Sequence, residues 1–161
     1  MIRAATAADA AAVAALVNAI NSLDGHAPAE PMTAAVVLRD LVCAAPKALL
    51  RVAEWQGRVA GFATAGLVYD AERQAWAMML LDLYVAPEAR RRGLARGLMA
   101  AVARVALREG ARCLWWGVDE GDAAATRFYR AIGATREGLF SGELLEGAAL
   151  ARLAGTERGG G

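Results

Sequence analysis

Val85-Ala-Pro-Glu-Ala-Arg90-Arg91-Arg92-Gly93-Leu94-Ala95 is the stretch on which the reading of the fold turns. It joins an apolar run that Pro87 stops to an amphipathic run that begins near Gly93, so it reads as a strand-to-helix turn. Backbone amides freed at a helix N-terminus converge, and with the helix dipole they suit an anionic group such as a diphosphate. Gly93 permits close backbone approach, Ala95 keeps the first turn open, and Arg90, Arg91, Arg92 and Arg96 raise the local positive potential. The same residues also read as a solvated arginine run before a glycine. The stretch is neither GxGxxG nor GxxxxGK[ST], which argues against nicotinamide oxidoreductases and phosphate-loop NTPases.

Working outward, Gln74 to Val85 forms a long strand ahead of the turn, and Leu94, Leu98, Val102, Val105 and Leu107 give the following helix its packing surface. Gly110 ends that helix, and Cys113 to Val118 makes a strand parallel to the first, through a right-handed crossover. Upstream, Leu49 to Trp55 and Val59 to Leu67 form a hairpin around Gln56-Gly57. Before it lie a short strand at Ile2-Arg3, a helix to Ile20 opened by a Thr6/Asp9 capping box, and a helix from Thr33 through Val42. Downstream, Asp122 to Ala131 reads as a helix stopped by Gly133, with final strands at Thr135 to Phe140 and Ala148 to Leu153 and a frayed tail over 155–161. Helices between strands make this an α/β sandwich around a mixed sheet in one domain, residues 1–154.

The 161 residues suffice for one domain with a buried core. Eighteen basic against seventeen acidic residues leave a net charge of +1, so nothing global points to nucleic acid. Alanine fills about a quarter of the chain, which lifts helix propensity everywhere and shifts the information to the larger apolar positions. Cys43 and Cys113 lack partners at ligand spacing, so no disulfide framework or metal site is expected, and both read as reduced, buried side chains. No basic-headed leader or long apolar span stands out, which gives a cytoplasmic, non-membrane expectation.

Val85, four residues, Arg90, two residues, Gly93, one residue and Ala95 resembles the acetyl-coenzyme A signature of the GNAT acetyltransferase superfamily, in which the last small position is Gly or Ala. Asp122-Ala-Ala-Ala125-Thr-Arg-Phe128-Tyr129, followed by Gly133, resembles that family's second block, with Asp122 where Asn is more usual. The resemblance runs to about Leu153 and is closest in flavour to the polyamine or diamine branch.

It implies an acyl-coenzyme A N-acyltransferase fold: a mixed, mostly antiparallel sheet, a V-shaped splay between two parallel strands, and about four flanking helices. The pantetheine arm of acetyl-CoA would enter the splay and pair with the backbone of Leu83, Tyr84 and Val85. Amides of Arg91, Arg92, Gly93, Ala95 and Arg96 would hold the diphosphate, and the arginine side chains are left to the 3′-phosphate or to solvent. Asp122, Ala125 and Phe128 fall on matching coenzyme-side positions, with Asp122 altering hydrogen bonding to the pantetheine region.

Acyl transfer to an amine needs a neutral nucleophile and a protonated leaving thiol. Tyr129 matches the family tyrosine that points at the coenzyme sulfur, and is read as general acid, the alternative being a packing residue beside Phe128. Asp82 interrupts the apolar strand Met78 to Val85, and burying a carboxylate is costly. It is read as base or water relay, against amine anchor or structural hydrogen-bonding group. Tyr84 should share its face, and an amide near Leu83 or Tyr84 would meet the developing oxyanion. His26, Glu30, Tyr84 and Trp116 are candidates on the acceptor side, with Glu54 a further one beside the hairpin turn; each has a plain surface or packing reading.

The expectation is direct transfer in a ternary complex from acetyl-CoA to a primary amine of a small molecule. The alternatives are a protein N-terminal or lysine acetyltransferase, a non-catalytic acyl-CoA binding module, and a structural interaction domain. A homodimer through the Met-rich central strand or the apolar final strand is also open.

Overall fold

The computed structural model describes every residue except Asp24, His26, Ala27, Leu139, Phe140 and 156–161. It contains five strands and five α-helices among the described residues: β1 (Ile2–Ala4), α1 (Ala10–Asn21), α2 (Ala34–Asp40), β2 (Leu49–Trp55), β3 (Arg58–Asp70), β4 (Ala75–Val85), α3 (Leu94–Arg108), β5 (Cys113–Trp115), α4 (Ala123–Ala131) and α5 (Gly147–Leu153). The chain separates into two units, Met1–Gly121 and Asp122–Gly161.

In the first unit the strands lie in chain order, β1-β2-β3-β4-β5. The first four are antiparallel, and β4 and β5 are parallel, giving the mixed, mostly antiparallel sheet. Gln56 and Gly57 both have positive φ, 50° and 74°, which matches the primed two-residue turn that the right-handed strand twist favours. One face of the sheet carries Leu50, Val52, Phe62 and Tyr84 against Val13 and Val37 of α1 and α2. These side chains are almost wholly buried, each contributing about 1.5–3 kcal/mol of burial for an aliphatic or aromatic group of this size. The opposite face receives α3, whose Leu98, Val102 and Val105 are buried and whose Gly97 sits against Ile2 of β1.

The start of α1 is held by charge. The Asp9 carboxylate accepts from the Thr6 N–H at 2.7 Å, the carboxylate half of the capping box, from the Thr6 hydroxyl at 2.9 Å, and also from Arg3 at 2.7 and 2.8 Å. Arg3 reaches across to Glu54 at 2.9 Å. Hydrogen bonding from Arg3 holds the Asp9 carboxyl well below the usual carboxylate range, outweighing burial that pushes the other way. Glu54 is thus part of an ion network and not a spare acidic group.

Several expectations are corrected. Cys43 is exposed, since α2 stops at Asp40 and leaves it in the connection to β2; Cys113 is half-buried, and both are free. Leu107 stands only two residues from Val105, off the α3 stripe, and is exposed. The strand expected over Cys113 to Val118 ends at Trp115, which leaves Trp116 in the segment that follows. The expected final strand Ala148 to Leu153 is the helix α5: Ala-Ala-Leu-Ala-Arg-Leu contains no β-branched residue and is rich in strong helix formers. Thr135 to Gly138 form no strand, and the rest of that expectation lies outside the described residues.

Candidate active site

β4 ends at Val85 and leads through a single 3₁₀ turn, Pro87–Ala89, into the arginine run. The Ala86 N–H donates to Ala60 at 2.8 Å, so the strand stays tied to the sheet up to the turn. Gly61 opposes Val85, and a Cβ there would stand 2.8 Å from the Tyr84 carbonyl oxygen, so only glycine allows this approach of β3 to the end of β4.

The arginines divide into two kinds. Arg90 folds back, donating from Nε to the Val85 carbonyl at 2.9 Å with its guanidinium 5.8 Å from the Tyr84 ring centre. Arg92 stacks at 4.7 Å over Trp55, at the end of β2. Arg91 and Arg96 are exposed and form no ion pair among the described residues.

The backbone between them is unusual. Arg91 and Gly93 are both left-handed, φ 61° and 77°, and an L-residue there costs roughly 1–2 kcal/mol. Open space surrounds the Gly93 Cβ position, so glycine is favoured by its torsion and not by crowding. The first helical bond of α3 runs from the Gly97 N–H to the Gly93 carbonyl at 2.9 Å, and no side chain caps the helix. The amides of Leu94, Ala95 and Arg96 therefore have no acceptor within the helix. Convergent N–H groups, a helix dipole and two unpaired guanidinium groups are the donor set an anionic diphosphate needs, and the residues fit such a group.

On the strand feeding this turn, Thr64 opposes Asp82 but Ala65 opposes Leu80, so Leu81 is a β-bulge. Its physical effect is a change of parity. Leu80 and Met78 lie on the α3 face, while Asp82 and Tyr84 share the α1/α2 face with Thr64 and Phe62. The bulge thus explains how a carboxylate interrupts an apolar strand. Asp82 is half-buried, and the buried Thr64 hydroxyl donates to its Oδ2. Its Oδ1 has no partner among the described residues and can accept a proton or a cationic group. Tyr84 is only 7% exposed, its ring 6.4 Å from Phe62, so it lines the core beneath this position.

β5 pairs with β4 only at Ala77, Met78 and Met79. Beyond Met79 the β5-facing side of β4 has no strand partner among the described residues. Apart from the Val85 carbonyl, which accepts from Arg90 Nε, its backbone groups are open to an extended ligand.

In the second unit, the Asp122 carboxylate caps α4 by accepting from the Ala125 N–H at 2.8 Å, a task for which Asp and Asn serve equally. Phe128 and Tyr129 are half-buried with ring centres 5.2 Å apart. Burial, and secondarily the Asp122 charge, push the Tyr129 hydroxyl above its ordinary value, keeping it protonated at neutral pH. Trp116 is half-buried just after β5, Glu30 is exposed, and His26 lies outside the described residues.

Sequence reasoning missed Thr64 and the bulge. Thr64 had a signal, as the one polar side chain in the run from Val59 to Leu67. The bulge had none, because alternation is obscured where both faces are apolar.

The model of the acetyltransferase (GNAT) family matches residues 17–134, most of the chain, and the protein belongs to that family. Solved structures share its fold. An integron cassette protein from the mobile metagenome of V. cholerae is 21% identical, with 96% of each chain covered and a TM-score of 0.75. An aminoglycoside acetyltransferase from an uncultured soil metagenomic sample, in complex with sisomicin, is 16% identical over 91% of this chain and 96% of its own, at 0.71. A ribosomal-protein-alanine N-acetyltransferase from Brucella melitensis biovar Abortus 2308 is 19% identical over 91% and 99%, at 0.70. No functionally curated protein matches the sequence.

Proposed function

We propose that this GNAT protein transfers an acetyl group from acetyl-CoA to a primary amine of a small molecule, directly and within a ternary complex. The observation that carries the proposal is the uncapped turn at Arg91–Arg96, whose amides lack helical acceptors, at the end of a strand whose β5-facing side is open. Acetyl-CoA, when bound, supplies an activated acyl carbon and a thiolate leaving group. The chain supplies the rest. Amides of Arg91, Arg92, Gly93, Ala95 and Arg96 hold the diphosphate, and Arg91 and Arg96 add charge beside it. The backbone of Leu83, Tyr84 and Val85 aligns the pantetheine arm as an extra strand.

Asp82 takes the proton of the acceptor ammonium through Oδ1, directly or by way of water, while Thr64 fixes the carboxylate through Oδ2. Nitrogen would then bond to the acyl carbon as the carbon–sulfur bond breaks, and the second proton it sheds in becoming an amide would pass to water. Tyr129, kept neutral by burial, donates its proton to the departing sulfur. A direct route accords with the cysteines: Cys43 is exposed in the connection before β2, and Cys113 lies at the start of β5, away from Asp82 in the strand register.

The fold is shared by enzymes whose names specify aminoglycosides and a ribosomal-protein alanine, so it does not choose the acceptor. The half-buried Asp82 favours a small cationic amine. The test is thiol release from acetyl-CoA over a panel of diamines, polyamines, aminoglycosides and amino acids, with peptide N-termini and lysine peptides as the second arm. Release with an acetylated small amine identified by mass is expected. Release with peptides alone would transfer the assignment to the protein acceptor, and saturable binding without release in either arm would leave an acyl-CoA binding module.

A further inference from the structure

β3 and β4 extend beyond the rest of the sheet. β2 begins at Leu49, opposite Ala65, so Gly66 to Asp70 of β3 have β4 on one side and no strand on the other among the described residues. An uncovered edge of this kind is a template for another strand, and proteins ordinarily blunt it with lysine, proline or a bulge. None of these occurs in Gly66-Leu67-Val68-Tyr69-Asp70. Leu67 and Val68 are exposed, as are Tyr69 (59%) and Trp76 (48%), and the last two pack edge to face at 5.6 Å. The one charge, Asp70, is paired with Arg73 at 2.6 Å within its own turn.

We propose that this edge is the interface of a homodimer in which β3 pairs antiparallel with β3 of a second copy, about a two-fold axis at Val68. The segment is complementary to itself. With Val68 opposite the partner's Val68, Leu67 meets the partner's Tyr69 on one face, and Asp70 meets the partner's Gly66, which has no side chain to crowd it. Only an extended backbone satisfies the open amides and carbonyls, and a second copy offers the identical strand in an isologous, closing arrangement. Charge supports the same occupant. The pairing brings the partner's Ala71–Gln74 turn, with exposed Glu72, up to the segment entering β2, with exposed Lys47, and does so twice by symmetry. The surface does not depend on the transfer chemistry.

Sedimentation velocity over a concentration series tests it. The wild type is expected at twice the 16.8 kDa chain mass at the upper concentrations. Val68→Lys and Val68→Asp, each folded by circular dichroism, are expected as single chains, because each sets two like charges face to face across the axis. Mixing the two variants restores the double mass. A wild type that remains one chain throughout, a dimer that survives both substitutions, or a mixture that stays dissociated would each overturn the proposal.

Discussion

The β3–β4 hairpin is one continuous pair of strands with two unlike halves, and the bulge at Leu81 is where they divide. On the side toward Val85, the strands are buried, glycine at position 61 brings them close, and Asp82 and Tyr84 turn to the α1/α2 face before the chain enters the arginine turn. On the side toward Asp70, the register is regular, but Leu67, Tyr69 and Trp76 are uncovered. One half carries polar groups whose geometry is enforced by packing, and the other carries apolar groups left exposed. A single inserted residue therefore decides which face of β4 presents Asp82 and Tyr84, without altering the composition around it.

The contrast makes a graded set of predictions. The largest effect falls on proton transfer: Asp82→Asn or Tyr129→Phe should lower kcat about a hundredfold or more, as expected for loss of a positioned acid or base. Steady-state kinetics should leave the KM for acetyl-CoA nearly unchanged. Because the Tyr129 pKa is raised, its loss of a proton should not depress kcat below about pH 10, the ordinary tyrosine value. A kcat that falls earlier and is insensitive to Tyr129→Phe would remove it from the acid role.

Next comes the turn. Gly93→Val forces a β-branched residue to φ 77°, and a strain of about 1–2 kcal/mol corresponds to roughly tenfold weaker coenzyme binding if the turn relaxes to escape it. Thr64→Val keeps the shape but removes the hydroxyl from Asp82. Loss of one such bond should cost about 1 kcal/mol of stability and, by freeing the carboxylate from its set orientation, reduce kcat about fivefold. The smallest effect belongs to the far half of the hairpin, where Val68→Lys should leave kcat unaltered while changing mass. Should Val68→Lys abolish turnover, the two halves are not separable.

Stability has its own lever at Asp9. Its carboxyl is lowered in the folded state, so its contribution is complete above the unfolded value near 4 and is lost as pH falls toward the folded one. Asp9→Asn should cost about 2–3 kcal/mol at neutral pH and flatten the acid side of the stability curve. Urea melts from pH 7 to pH 3 would show it.

The strand-to-helix turn was legible because Pro87, the arginines and Gly93 punctuate it, and the hairpin because Gln56-Gly57 interrupts two apolar runs. Strand ends were less so: Cys113 to Val118 keeps an apolar character past Trp115, where pairing stops. Ala148 to Leu153 misled because apolar content without β-branching is a helical signal, and α5 obeys propensity rather than pattern. Asp82 was recognisable as an anomaly, yet its face could be assigned only from the register, since the bulge shifts every later side chain. The division of labour among the arginines needed the structure too, because the stacking of Arg92 depends on Trp55, which is far away in sequence.

The central claim is that main-chain donors after Val85 grip the anionic end of a coenzyme. Isothermal calorimetry of the folded wild type and of Gly93→Val with acetyl-CoA addresses it directly. Saturable heat at one site per chain, weakened roughly tenfold in the variant, is the predicted result. Absence of binding by the wild type, or equal affinity in the two proteins, would contradict it.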